Sequence, residues 1–272
     1  MEFVHHMYIF QVLLAAISFI LNGLFLIVLA DNKDLVKRKR ITYHVVNIAA
    51  ADTLFGFSRF CYFILALYPN QLTLKKVFEA MYIGFYLASQ VAVLLMAIER
   101  LVVITKPLTW NEILPQKRML LFMLGSWIAV MLLIVLDYFT VFLGVRQVWL
   151  LFVLVILSST AAVNMYMFKK LNKNDGSAGS NHKSMHLKHK ASILVLWLAV
   201  IAIVTCLPSS IVRMIIQVCY YYKFRCNLNN TVMSSFLIVE SFNFIVNTLV
   251  YIWKDRLYRN AFCQTFKIKK QF

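Results

Sequence analysis

The sequence has little charge and few cysteines. Only 14% of its 272 residues are Asp, Glu, Lys or Arg, against about 25% in a typical soluble domain. Five cysteines are too few for a disulfide-built secreted scaffold. There is no low-complexity tract and no internal repeat of the kind that builds many transporters. Catalytic and metal constellations are missing as well. His5 and His6 lie at the start, and His182, His186 and His189 lie in a Gly- and Ser-rich stretch where only an accident of spacing would bind a metal. The chain is therefore not expected to be an enzyme, and no resident cofactor is expected.

What the sequence has is apolar surface. Hydrophobic residues make up 61%, against about 45–50% in soluble domains, and the mean hydropathy is +0.74. One aqueous core of this size cannot bury that much. The formal net charge of +17 first suggests nucleic acid, but a binding domain would gather its basic residues on one folded face. Here they sit between long apolar runs, so the expected partner is a lipid bilayer and not nucleic acid.

A bilayer core needs about 20 apolar residues in helix. Seven segments meet this: Tyr8–Ala30, Ile41–Leu67, Leu74–Thr105, Arg118–Tyr138, Val148–Lys170, Ala191–Tyr220 and Val232–Trp253. The expected fold is an all-α bundle of seven transmembrane helices over one domain, residues 1–272. Leu171–Lys190 is rich in Gly, Ser, Asn and Lys and reads as a mobile loop. The first segment shows no cleavage-like end and reads as a retained anchor. After Trp253, Leu257, Tyr258, Ala261, Phe262 and Phe266 fall on one helical face, predicting an interfacial amphipathic helix over 254–266.

Orientation follows from the basic residues beside the segments. The loops after segments one, three and five and the C-terminal tail hold 20 Lys and Arg, while the other loops hold five, Lys75, Lys76, Arg146, Lys223 and Arg225. The bias puts the N-terminus outside the cell and the C-terminus in the cytoplasm of a multi-pass plasma-membrane protein. It also favours anionic lipid and an acidic cytosolic partner.

Ionisable side chains inside a bilayer cost several kcal/mol unless paired or hydrated. Asp52, Arg59, Glu79, Glu99, Arg100, Asp137, Arg213 and Glu240 all fall within the segments. Pairing or snorkelling is a sufficient reading for Arg59, Asp137 and Arg213. Asp52 lies midway along its segment, with no route to an interface, and needs a function.

The order of these residues resembles that of the rhodopsin-like (class A) G-protein-coupled receptors. Segment one carries Asn22. Segment two carries Asp52 in Ala49-Ala50-Ala51-Asp52, similar to that family's Ala-x-x-Asp. Segment three ends Glu99-Arg100-Leu101, similar to Asp/Glu-Arg-Tyr, with Pro107 and Leu108 following. Segment four carries Trp127 and segment five Tyr166. Segment six has Cys206-Leu207-Pro208, which keeps the proline of Cys-Trp-x-Pro without its tryptophan. Segment seven ends Asn247-Thr248-Leu249-Val250-Tyr251, similar to Asn-Pro-x-x-Tyr without the proline. Each match is weak alone; one per segment, in order, is strong. Lys75 replaces the usual disulfide cysteine, the loop after segment four is short, and Ser158 stands for a proline. These departures, with Cys219 and Cys226 in the last outer loop, resemble the melanocortin-like branch. Its acidic cluster, however, is matched only by Glu79.

The resemblance implies a receptor that transmits an extracellular small molecule or peptide to a heterotrimeric G protein. Arg100 would leave Glu99 on activation and meet the G protein beside Tyr166 and Tyr251. Leu108 would anchor in a G-protein groove, or else pack on its own loop. Asp52, Ser89, Asn243 and Asn247 would hold a sodium ion or a hydrated network. Glu79, Tyr82, Tyr86, Arg213, Gln217, Phe236 and Glu240 would face an outer ligand pocket, whose mixed charge suits a polar or zwitterionic ligand or a peptide. Entry of a lipid from the bilayer stays open. Cys219 and Cys226 would pair in a disulfide. Cys263 is a palmitoylation candidate or a free thiol, and Asn229 opens a glycosylation sequon, Asn229-Asn230-Thr231. The alternative is a polytopic transporter or channel, which would show repeats, broken helices or a charged file.

Overall fold

The computed structural model describes residues 2–38, 40–68, 70–139, 143–175, 182–221 and 230–267, with some side chains in the helical ends left out. Seven long helices fill most of them: α1 (Glu2–Asp31), α3 (Ile41–Ala66), α4 (Leu72–Thr105), α6 (Gln116–Phe139), α7 (Leu143–Asp175), α8 (His182–Tyr221) and α9 (Asn230–Lys254). Three short helices punctuate them: α2 (Lys33–Arg38), α5 (Trp110–Ile113) and α10 (Arg256–Thr265). All seven long helices are long and apolar enough to cross a membrane. Helices are the expected solution, because a spanning segment must satisfy its own backbone in lipid.

The predicted spans hold within a few residues, except around the loop read over Leu171–Lys190. There α7 runs on to Asp175 and α8 begins at His182, so much of that stretch is helix. Its Lys, Leu and Met residues are good helix formers, and residues 176–181 lie outside the described residues. The short helices α2 and α5 were not foreseen. The amphipathic helix starts two residues later than the expected 254, because Asp255 caps it: its carboxylate accepts from the Leu257 N–H at 2.9 Å. Its apolar face is also divided. Tyr258 and Ala261 are buried on the bundle, whereas Leu257 and Phe266 are exposed.

The bundle packs unevenly. α1, α3 and α4 are the most closely joined, and Gly56 lets α3 approach α1. A Cβ built on Gly56 would lie 2.6 Å from the backbone nitrogen of Phe19. α6 lies on the rim, burying only Met119, Met123, Val130 and Asp137. Leu121, Leu132, Val204 and Met165 are among many large apolar side chains left exposed. On helices of this length that is the surface lipid covers.

Polar side chains tie the helices together. Asn22 on α1 donates to the Phe244 carbonyl of α9 at 2.9 Å and accepts from Thr248 Oγ1 at 2.5 Å. Trp127 Nε1 on α6 donates to Asn47 Oδ1 on α3 at 2.7 Å. Both carry the family resemblance, and both are cross-helix ties.

Candidate functional site

α3 places three buried polar residues along one side. His44, Asp52 and Arg59 stand eight and then seven residues apart, about two helical turns each. All three are at most 1% exposed. They define three layers: one at the basic end, where the charged loops lie, one in the middle, and one at the opposite end.

In the middle layer, Asp52 Oδ1 accepts from Ser89 Oγ of α4 at 2.5 Å, and Oδ2 accepts from Asn247 Nδ2 of α9 at 2.9 Å. Asn243 lies one turn from Asn247 on the same helix face. Both side-chain polar atoms of Asn243, and Oδ1 of Asn247, are buried with no hydrogen-bond partner. Buried polar atoms without partners are rare and costly. Ser89 and Asn247 thus meet at the Asp52 carboxylate, and Asn243 stands one turn away with its amide unpartnered.

At the basic end, Glu99 of α4 is fully buried. Its Oε2 lies 2.7 Å from His44 Nε2, which is a donor both in the Nε2–H tautomer and in the imidazolium. Its Oε1 lies 3.1 Å from Arg40 Nε and 3.5 Å from Arg100 Nη2. Arg40 also donates to the Leu114 carbonyl and to Asn111 Oδ1, and its guanidinium sits 4.8 Å over the Trp110 ring. The segment around α5 is therefore pinned to the Glu99 layer. Burial pushes the Arg40 guanidinium below its usual pKa, and Glu99 opposes that shift. Leu108, just before α5, is 94% exposed. It does not pack on its own loop.

Tyr251 is buried against Phe25, with rings stacked at 5.8 Å, and against Tyr258 at 6.2 Å. Its hydroxyl is buried without a partner. Tyr258 in turn shares a hydrogen bond with Thr42 at 3.1 Å, and burial keeps its phenol well above the usual pKa. Tyr166 is half-exposed; the fold puts it in surroundings unlike those of Tyr251.

At the opposite end, Glu240 of α9 is 1% exposed and meets two arginines. Arg213 Nη2 of α8 donates to both carboxylate oxygens at 2.8 Å. Arg59 Nη1 of α3 lies 3.5 Å from Oε1, and its Nη2 donates to the Leu237 carbonyl at 3.0 Å. Aromatic rings wall this layer. Arg59 sits 5.3 Å over Phe55, and Arg213 lies 5.9 Å from the Tyr86 ring. Tyr86 bonds Ser210 at 3.1 Å, and Tyr82 packs on Tyr62 at 5.2 Å. Of the predicted pocket residues, Tyr82, Tyr86, Arg213 and Glu240 share this layer. Glu79 and Phe236 are half-buried. The side chain of Gln217, and Cys226 and Asn229 altogether, lie outside the described residues.

Sequence reasoning missed His44 and Arg40. Arg40 was counted only as topological charge. The signal for His44 was its place on the Asp52 stripe of α3, eight residues earlier. Cys263, like Cys61 and Cys206, is a free thiol.

Residues 21–147 match the family described as 7 transmembrane receptor (rhodopsin family). That match covers α3, α4 and α6 with the Asp52 and Glu99-Arg100 layers, and seven helices able to cross a membrane complete the bundle. Over those residues, just under half of its length, the chain is similar to the rhodopsin-family receptors, and its seven helices able to span a bilayer make it a multi-pass membrane protein. No curated protein matches the chain closely enough to count as a relative.

Proposed function

We propose that the protein is a cell-surface receptor that passes the binding of an extracellular small molecule or peptide to a cytosolic heterotrimeric G protein. The basic end is then the cytoplasmic one, as the count of 20 against five basic residues favours. The observation that carries the reading is the Glu99 layer. Arg100 is the most weakly held of three donors around one carboxylate, at 3.5 Å against 2.7 and 3.1 Å, and Leu108 stands exposed nearby in the chain. Weak retention suits a group that must leave Glu99 when a partner docks. A receptor of this kind is a two-state bundle whose ligand and partner bias the same equilibrium.

Guanine-nucleotide exchange on G protein reconstituted with the full chain tests the reading. Exchange that Arg100→Ala eliminates, with folding retained, supports it. Substrate or ion flux in the same vesicles without exchange would establish a transporter or channel instead.

Asp52, Ser89, Asn243 and Asn247 form the proposed sodium site. Bound sodium would supply positive charge beside Asp52 and hold α3, α4 and α9 together. Sodium should raise the melting temperature of the wild type but not of Asp52→Asn. A wild type indifferent to sodium would leave a hydrated network in its place. The proposed Cys219–Cys226 bridge is supported by Cys219 being disulfide-bonded while Cys61, Cys206 and Cys263 are free. Palmitate on Cys263 and glycan on Asn229 remain proposals that intact-mass measurement decides.

A further inference from the structure

Inside α8 stands Pro208. A proline within a helix removes one backbone hydrogen bond and eases bending at that point. It divides α8 into arms of unequal length. Arg213 lies five residues beyond it, about 7.5 Å along the axis, and Lys190 lies eighteen residues before it, about 27 Å. The polar ties from α8 to other helices gather on the short arm and beside the proline. Gln90 Nε2 of α4 donates to Cys206 Sγ at 3.7 Å, Tyr86 of α4 shares a hydrogen bond with Ser210 at 3.1 Å, and Arg213 Nη2 donates to both oxygens of Glu240 on α9 at 2.8 Å. Among the described side chains, the polar contact of the long arm with another helix is Lys254 of α9 over the exposed Trp197 ring at 5.2 Å, a weak attraction at a surface site.

The Arg213 contact is the ion pair of this set. Arg59 of α3 also reaches Glu240, at 3.5 Å, and Glu79 of α4 shares the surroundings: Arg213, Glu79, Arg59 and Glu240 all act by charge on Tyr82. Of these groups only Arg213 belongs to α8. When Arg213 withdraws, Glu240 keeps Arg59, so the buried carboxylate is not left without a cation. The pair can therefore open without stranding its acid.

Resting on the receptor reading, we infer that the Arg213–Glu240 pair is a latch that holds the short arm of α8 on α9 and, through Pro208, sets where the long arm stands at the basic end. Arg213 is a positioning residue and touches no partner protein itself. With arms of about 7.5 and 27 Å, a slip of about 1 Å at Arg213 becomes about 3–4 Å at Lys190. The closed latch favours the resting state, and opening it favours the state in which Arg100 is free to meet a partner.

The test is the distance between nitroxide labels on Leu121→Cys of α6 and Lys190→Cys of α8, read by pulsed electron paramagnetic resonance on the full chain in lipid nanodiscs. Leu121 is exposed, Cys206 is fully buried, and Cys61→Ser and Cys263→Ser remove the accessible thiols. Arg213→Gln leaves Glu240 paired with Arg59 and should shift the mean distance by about 3 Å or more. Agonist-independent nucleotide exchange on reconstituted G protein should rise a few-fold in the same variant, a gain that simple damage to the fold would not produce. Arg213→Lys should keep both readouts at the wild-type values, because one ammonium nitrogen can take the place of Nη2. Arg59→Gln leaves Glu240 paired with Arg213, so it should lower the melting temperature and leave distance and exchange unchanged. Should Arg213→Gln fail to fold, Arg213→Leu brings no polar group into the layer and takes its place; should Arg59→Gln fail, the Arg213 variants still decide. An unmoved distance in Arg213→Gln, or an equal shift in Arg213→Lys or Arg59→Gln, would overturn the latch. A moved distance with no exchange from any variant sinks G-protein coupling alone, and exchange by the wild type with an unmoved distance sinks the latch alone.

Discussion

Glu240 and Glu99 are both buried carboxylates that meet more than one cation, but their cations come from different places. Those of Glu240 arrive from α3 and α8, so one carboxylate on α9 joins three helices across the bundle. Those of Glu99 are Arg40, the residue just before α3, and Arg100 of α4 itself, with His44 at the start of α3 a third donor. The first cluster couples the α8–α9 side of the molecule to α3. The second stays within the tightly packed α1–α3–α4 side and its α5 attachment. No acidic residue lies between His182 and Pro208, and Lys183, Lys188 and Lys190 are basic. The sequence of α8 thus offers Arg100 no carboxylate over residues 182–208. Among the described ion pairs, the carboxylate at the opposite end draws a cation from α8 and the one at the basic end does not.

The largest effect should come from cutting the cross-link. Glu240→Leu strands the Arg59 guanidinium, only 1% exposed, and should cost about 3–5 kcal/mol in thermal unfolding. Glu99→Leu should cost less, about 1–3 kcal/mol, since neither of its arginines is buried as deeply as Arg59: Arg40 and Arg100 are 13% and 11% exposed and can turn to water. Equal losses would mean that the two clusters are energetically alike, and the comparison would fail.

The packing contrast is tested by two glycines. Gly56→Val drives a side chain into the backbone of α1 and should lower stability by about 1–3 kcal/mol. Gly125→Val on α6 meets nothing within 4 Å and should leave the melt almost unchanged. A Gly125 variant as damaging as the Gly56 variant would show that α6 is as closely held as α3.

The spans were legible in the sequence because a run of about 20 apolar residues is the strongest local signal a chain carries. Their ends were less so. Helix continues past the membrane wherever the next residues favour it, as Leu171–Asp175 and His182–Lys190 do, and hydropathy does not register this. The middle layer was legible residue by residue, since Asp52, Ser89, Asn243 and Asn247 follow the family order; Asp52's bonds to Ser89 and Asn247 confirm their proximity. At the opposite end the ionisable residues stood out as misfits in lipid, but not their pairing. Which helix faces which is a tertiary fact, and the sharing of Glu240 by Arg59 and Arg213 follows from it. His44 and Arg40 were obscured for a different reason. A lone histidine has no signature, and a loop arginine beside four other basic residues reads as topology until the fold turns it onto Glu99.

The smallest expected effect bears most directly on the central claim, that the basic end lacks a cross-bundle lock. Lys188 lies twenty residues before Pro208 on α8, the position where the family resemblance implies an acid that holds Arg100. The measurement is agonist-independent nucleotide exchange on reconstituted G protein at matched receptor density. The account predicts clear basal exchange in the wild type and a few-fold reduction in Lys188→Glu, the change expected from about 0.5–1 kcal/mol of one partly exposed ion pair. A silent wild type, or higher exchange in Lys188→Glu, would contradict it.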